Sequence, residues 1–253
     1  MRESMEAGRV HERRPHVTGT IQAHSFQPRD LVGGHVVVDL LNTVTARDAE
    51  PVDWLDGYPR LLEWAALTGE FAPDVLTGLR TRADAEPGAA ARALERIRDL
   101  REAVRDVLVA VVHGNEDAAG AAAPAPGELP PDAESVVRVE SHWKQAAARS
   151  RLALDGGTPH LRLDVATSGL DYLTHDLALR ALDLLRALPR ERTRVCPGLR
   201  CGWVFVDTSR AGRRRWCDMA TCGNAAKGRS HYRRKRDGAD AEAGERPVAE
   251  PPR

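Results

Sequence analysis

The chain has 253 residues, 42% of them hydrophobic, which suffices for one large domain or two small ones with a real core. Its 37 basic and 37 acidic residues cancel, and aromatics are scarce at 4% while Ala, Arg and Leu dominate, a composition that favours helix over sheet. No stretch approaches the ~20 apolar residues of a membrane span, and MRESMEAGRVHERRPHV at the N-terminus lacks the apolar segment of a secretory signal. A cytoplasmic protein with reduced thiols and no membrane partner is therefore expected.

Residues 1–28 are polar and aperiodic and read as a flexible tail. The folded part opens with LVGGHVVVDLLNTV, Leu31 to Val44. Gly33-Gly34 marks a turn, and the β-branched run after His35, shifting to leucine, predicts a short strand leading into a helix. Between Asp53 and Gly69 the apolar residues Leu61, Leu62, Trp64, Ala65 and Leu67 precede a glycine stop, which predicts a second helix. The clearest helix runs from Ala90 to Gly114, with Leu94, Ile97, Val104, Leu108 and Val111 at helical spacing and Gly114-Asn115 as its expected end. Residues 115–131 are rich in Ala, Pro and Gly and read as a long loop. Asp132 is then placed to cap a helix carrying Val136, Val139, Trp143 and Ala147. Ser150 to Ala166 predicts two strands around Asp155-Gly156-Gly157, a hairpin signal. Ser168 would cap a last helix, striped by Leu170, Leu173, Leu177, Leu184 and Leu188 and stopped by Pro189. Residues 29–188 thus read as a mostly helical domain with a small β element.

The zero net charge hides a split. Residues 190–236 hold 14 Lys or Arg against three acids, net +11, and the rest of the chain is net −11. All four cysteines, Cys196, Cys201, Cys217 and Cys222, fall inside that basic stretch as two C-x4-C pairs. In a reducing compartment such clustering points to a metal more than to disulfides, which would need an oxidising one. Two knuckles giving two thiolates each meet the tetrahedral demand of Zn2+, and an iron–sulfur cluster would use the same sulfurs. Four thiolates leave no open position for a catalytic water, so a structural ion is expected. It would stabilise a segment too small to bury a sufficient core of its own. Trp203 to Val206 reads as a strand, Asp207 to Gly212 as a turn, and Arg213 to Trp216 as the returning chain. AAKGRSHYRRKR predicts a final helix interrupted by Gly228, and residues 237–253, acidic and Pro-rich, read as a disordered tail.

CGWVFVDTSRAGRRRWCDMATCGN resembles the CGNR zinc finger, whose pattern is a cysteine pair, W-x-F-x-D-T-S-R, R-R-W-C, then C-G-N-R-x-K. GGHVVVDLLNTV, with Trp64 downstream, resembles the ABATE domain that normally precedes that finger. The two likenesses cover most of residues 29–236. They imply an α+β architecture, with ABATE at 29–188 and a zinc-ribbon or treble-clef-like finger at 189–236. They also imply a stress-induced transcriptional regulator of bacterial type. One departure stands out: Ala225 occupies the position of the family arginine.

The basic residues suit a phosphate backbone, whose neutralisation releases counterions. Arg210, Arg213, Arg214 and Arg215 lie between the knuckles. Lys227, Arg229, Arg233 and Arg234 lie on the last helix, where Arg229, Arg233 and Arg236 share a face able to enter a major groove. The blander reading makes them a solvated face offsetting the charge of the metal site. Trp203, Phe205 and Trp216 are expected in the small core. Asp39, Asn42 and Arg47, beside His35 near the glycine pair, mark a candidate ligand pocket, against the plainer reading that Asp39 and Asn42 bond local backbone. His113, His142, His160 and His175 are expected in surface or core roles. No P-loop, G-x-G-x-x-G or G-x-S-x-G is present, so no catalytic residue is assigned and no enzymatic activity is expected. The sequence-level conclusion is a zinc-dependent DNA-binding regulator whose larger domain senses a small-molecule effector or forms a homodimer. The alternative is a zinc-stabilised protein–protein interaction module that never touches nucleic acid.

Overall fold

A computed structural model describes residues 20–21, 24–47, 49–117 and 133–244. Most of the expected N-terminal tail, most of the Ala/Pro/Gly loop, the cap at Asp132 and the last residues of the acidic tail lie outside these.

The first helix, α1 (Val36–Leu41), replaces the predicted strand: His35 is its N-cap, its Nδ1 accepting from the Val37 N–H at 3.2 Å. Val36, Val37, Val38, Leu40 and Leu41 are all buried, and a fully buried turn overrides the strand preference of valine. Helix α2 (Tyr58–Thr68) ends, as the sequence predicts, on Gly69 in the left-handed region at φ 70°. Helix α3 (Pro73–Ala85) has no counterpart in the sequence reading, although Leu76, Leu79 and Ala83, its buried residues, follow helical spacing.

Helix α4 (Pro87–Asp117) is the central strut and passes through Gly114-Asn115 instead of stopping there. Its buried face, Ala90, Leu94, Ile97, Leu100, Val104 and Leu108, is covered on one side by α1–α3. On the other it packs on α5 (Ala133–Arg149) and α7 (Tyr172–Arg186). Between those two helices stands the predicted hairpin, β4 (Ser150–Asp155) and β5 (Thr158–Leu163). Gly156 and Gly157 turn it with φ of 55° and 86°, the two positive values a type I′ turn demands. Ser168 does not cap α7. The short α6 (Val165–Ser168), capped by Asp164, and a 3-10 turn intervene, and the Ser168 hydroxyl is buried without a partner.

A small sheet braces the N-terminal side: β2 (Val44–Thr45) is antiparallel to β3 (Val52–Asp53), and β1 (Thr20–Ile21) lies parallel along the other edge of β3. Arg101 of α4, only 3% exposed, ties this sheet to the helices. Its guanidinium donates to both Asp53 carboxylate oxygens at 2.9 and 2.6 Å and to Thr43 Oγ1 at 2.9 Å. A buried ion pair of this kind holds register more than it adds net stability.

The C-terminal strands complete the core. Strand β6 (Thr193–Val195) pairs antiparallel with β7 (Val204–Val206). Arg213 to Trp216, the returning chain, forms no strand; the partner of β7 lies before the first cysteine. Along β7 the side chains alternate. Val204 and Val206 enter the hydrophobic core of the helices, while Trp203 and Phe205 pack among the cysteines. The strand is thus buried on both faces. Helix α8 (Asn224–Gly244) runs through Gly228 without interruption and extends into the stretch read as a disordered tail.

Candidate metal centre and basic surface

The two knuckles are shaped by glycine. A Cβ on Gly198 would lie 2.7 Å from Cys222 Sγ, and Gly202 takes φ 67°. Cys201 N–H donates to the Gly198 carbonyl at 3.0 Å and Cys196 N–H to the Trp203 carbonyl at 2.7 Å, closing the first knuckle. Asp218 caps a π-helical turn, Met219–Gly223, accepting from the Ala220 and Thr221 N–H groups at 3.2 and 3.0 Å, and so presents Cys222.

The four Sγ atoms lie within 4.8 Å of one another, with Cys201–Cys217 and Cys217–Cys222 at 3.6 Å, and none is in a disulfide. Four sulfurs around zinc at ~2.3 Å stand about 3.8 Å apart, so the quartet fits that ion. Hydrogen bonding with the Cys196 sulfur, and burial, push the Cys201 and Cys217 thiols up, Cys201 to about 12. A cation is what lets such a cluster ionise together, and binding it releases protons.

The centre is locked to the helical part. Asn42 donates through Nδ2 to the Val204 carbonyl at 2.8 Å and accepts from the Val204 N–H at 3.0 Å, both buried. Val206 N–H donates to the Gly33 carbonyl at 2.8 Å, Trp203 Nε1 to the Val44 carbonyl at 3.1 Å, and Ala46 N–H to the Arg200 carbonyl at 3.1 Å. Trp54 meets Trp203 edge to face at 5.5 Å.

Family models match the same two halves: the one described as "ABATE: Putative stress-induced transcription regulator" over residues 34–188, and the CGNR zinc finger over 192–235. The chain belongs to the ABATE family. Among curated proteins, none matches it. The resemblance read from the two motifs holds in both identity and order, and the four cysteines form the Zn2+ site of the CGNR finger. With four protein ligands its role is structural.

The ABATE motif is the finger's docking platform. Gly33 has no room for a side chain, because a Cβ would lie 2.9 Å from both the Asp39 N and Oδ1 atoms. Asp39, Asn42 and Arg47, the candidate ligand residues, each bond a different part of the protein. Asp39 Oδ1 accepts from the Gly33 N–H at 2.8 Å. Asn42 holds Val204, not local backbone. Arg47 donates to Glu102 at 2.6 and 3.1 Å and to the Leu41 carbonyl. Burial raises the Asp39 carboxyl to about 6, against the opposing Gly33 hydrogen bond and the Arg214 charge. The folded state therefore holds this proton more tightly than the unfolded one, and Asp39 costs stability as pH rises from about 4 to about 6. Asp39→Asn keeps an acceptor for Gly33 and removes the charge. The variant should unfold at a higher temperature than wild type at pH 7.5, with the gap closing below pH 4, as calorimetry across that range would show.

The finger's arginines divide into two kinds. Arg214, which the sequence places among the nucleic-acid contacts, is held by the protein. It donates to the Trp216, Val32 and Cys217 carbonyls and lies 4.5 Å over the Phe205 ring. Asp207, fully buried, organises the turn by accepting from Ser209 N–H and Oγ–H and from the Arg214 N–H at 3.0, 2.5 and 2.7 Å. The Ser209 hydrogen bond foremost holds its carboxyl below the usual range. By contrast, Arg210, Arg213, Arg215, Lys227, Arg229, Arg233 and Arg234 are exposed, and none has a carboxylate partner among the described residues. Trp203 and Phe205 are buried as expected, and Trp216 is half-buried under Arg215. Tyr232, 76% exposed beside Arg233 and Arg234, escaped the sequence reading because a lone tyrosine in a basic run carries no spacing signal. Ala225 is exposed at the start of α8, so the family arginine it replaces would stand on the surface and not in the core.

His142 Nε2 donates to Asp99 Oδ2 at 2.7 Å, and this bond foremost holds the Asp99 carboxyl down to about 2. His175 is buried on α7, and burial lowers it. Both are packing residues. Among the described residues no helix is long and apolar enough to cross a membrane.

Proposed function

We propose that this ABATE protein is a transcription regulator that binds duplex DNA through its zinc finger and acts by binding, not by catalysis. One observation carries the reading: the finger displays Arg210, Arg213 and Arg215 between its knuckles and Lys227, Arg233 and Arg234 on α8, all exposed and without carboxylate partners among the described residues. In the helical part, arginines such as Arg47, Arg96, Arg101, Arg138 and Arg180 are held by acids. Four thiolates and one Zn2+ sum to a formal charge of about −2, far less than the net +11 of residues 190–236. The main packing of α8 is against the π-helical turn before it, so the helix projects from the knuckle as a groove-entering element does. The helical part serves sensing or self-association. Leu152, Leu154 and Leu161, exposed on one face of the β4–β5 hairpin, support the latter.

A gel-retardation assay of the zinc-loaded chain on a pool of random duplexes tests the reading. Wild type should retard the pool at low salt, and the triple variant Lys227→Glu, Arg233→Glu, Arg234→Glu should not. Equal retardation by both, or none by wild type, would favour a finger that docks protein instead.

A further inference from the structure

Between the first knuckle and α4 lies a cleft of about 500 Å³. Arg47 and Arg105 from the helical part and Arg229 from α8 converge on it, with Val195, Pro197 and Leu199 as its apolar wall. No carboxylate is among its lining residues. We propose that this cleft binds a small oxyanion, a phosphate or carboxylate carried on a compact apolar body, which bridges the ABATE part and the last helix of the finger.

Three features argue for it. First, the cations are unevenly satisfied. Arg47 has Glu102, which also accepts from Arg101 Nε at 2.9 Å. Arg105 has no carboxylate within ion-pair distance among the described residues. Its Nε is buried without a partner, and Nη2 reaches the Gly202 carbonyl only at 3.5 Å. Burial, and then the Arg47 charge, bring Arg105 down to about 10, against the charges of Glu102 and Asp106. The group stays charged at neutral pH, and an anion would relieve both costs. Second, guanidinium forks match the paired oxygens of phosphate and carboxylate. Third, the volume falls in the range of small-molecule sites and exceeds what one inorganic phosphate fills. Leu199, 67% exposed at the rim, gives an apolar body a surface to cover. Cys196 also lines the cleft, so the negative zinc centre is the competing partner for these arginines.

Inorganic phosphate and phenyl phosphate are titrated into the zinc-loaded full chain by calorimetry, without DNA, so the outcome is independent of the DNA-binding reading. Saturable binding is expected, tighter for phenyl phosphate, and weakened about tenfold or more by Arg105→Met, the loss of a charged hydrogen-bond partner. Arg229→Met, on an exposed position of α8, should weaken it in the same direction, and zinc content should stay at one per chain in both. Absence of saturable binding by either probe overturns the proposal, and so does binding that neither variant alters. If both probes fail while Arg105→Met weakens affinity for a short duplex, the cleft seats a phosphate of the DNA backbone, and the small-anion site is refuted.

Discussion

Cys217→Ser is expected to abolish stoichiometric zinc binding and to destabilise the whole chain, the helical half included. Cys217 is 1% exposed, and its sulfur stands within the quartet, 3.6 Å from both Cys201 and Cys222. The apparent binding energy of structural zinc in finger peptides is about 10–16 kcal/mol, and losing one of four ligands forfeits a large part of it. What carries the damage onward is β7. Its Val204 and Val206 belong to the core built on α4, while Phe205 of the same strand packs among the cysteines. Releasing the metal frees one face of a strand whose other face seals the helices. Urea unfolding followed by far-ultraviolet dichroism, which reports the helices, should show the midpoint of the serine variant well below wild type. Chelation of wild-type zinc should have the same effect. A variant that has lost its zinc while its helices unfold at the wild-type midpoint would mean that the finger is an appendage.

Asn42→Ala should cost about 3 kcal/mol while leaving one zinc per chain. The side chain satisfies both the N–H and the C=O of Val204, which is 1% exposed, so truncation leaves two buried backbone groups unpaired at about 1–3 kcal/mol each. Asn42→Asp separates the two bonds: the carboxylate still accepts from the Val204 N–H but faces the carbonyl with no donor. Equilibrium unfolding of the zinc-loaded variants checks this. An alanine variant within about 0.5 kcal/mol of wild type, the spread of ordinary surface substitutions, would show that the Asn42 link does not hold the two halves together.

The metal centre was legible because its chemistry is local. Two C-x4-C pairs with glycine beside the thiols specify four sulfurs wherever the chain then goes. Helices α2, α4 and α7 were legible from their apolar period, α2 also from its glycine stop, and the hairpin from Gly156-Gly157. The misreadings share another cause. Val36 to Val38 have strand propensity, yet they lie in a turn of helix buried against α4, α7 and β7, where packing decides. Gly114 and Gly228 are tolerated within helices, since glycine costs only about 1 kcal/mol relative to alanine. The sequence marks Asn42 as facing a ligand and Arg214 as facing DNA, because a distant partner leaves no local signal. Asn42 bonds a strand 162 positions away, and Arg214 reaches back to the Val32 carbonyl. Arg105 went unremarked for the same reason: on the sequence it is one more charge on an amphipathic helix, and only the fold places it opposite Arg229.

The DNA-binding role is tested most directly by the salt dependence of affinity for a fixed duplex, measured by fluorescence anisotropy on zinc-loaded protein. Each phosphate contact contributes about −0.9 to the slope of log affinity against log salt. Arg213 and Arg215 are exposed and, unlike Arg214, donate no hydrogen bond to the protein among the described residues. Arg213→Ala combined with Arg215→Ala should therefore shallow the slope by about 1.8 and weaken binding at low salt, with zinc content unchanged. A wild-type slope near zero, or a double variant whose slope and affinity match wild type, would contradict the account.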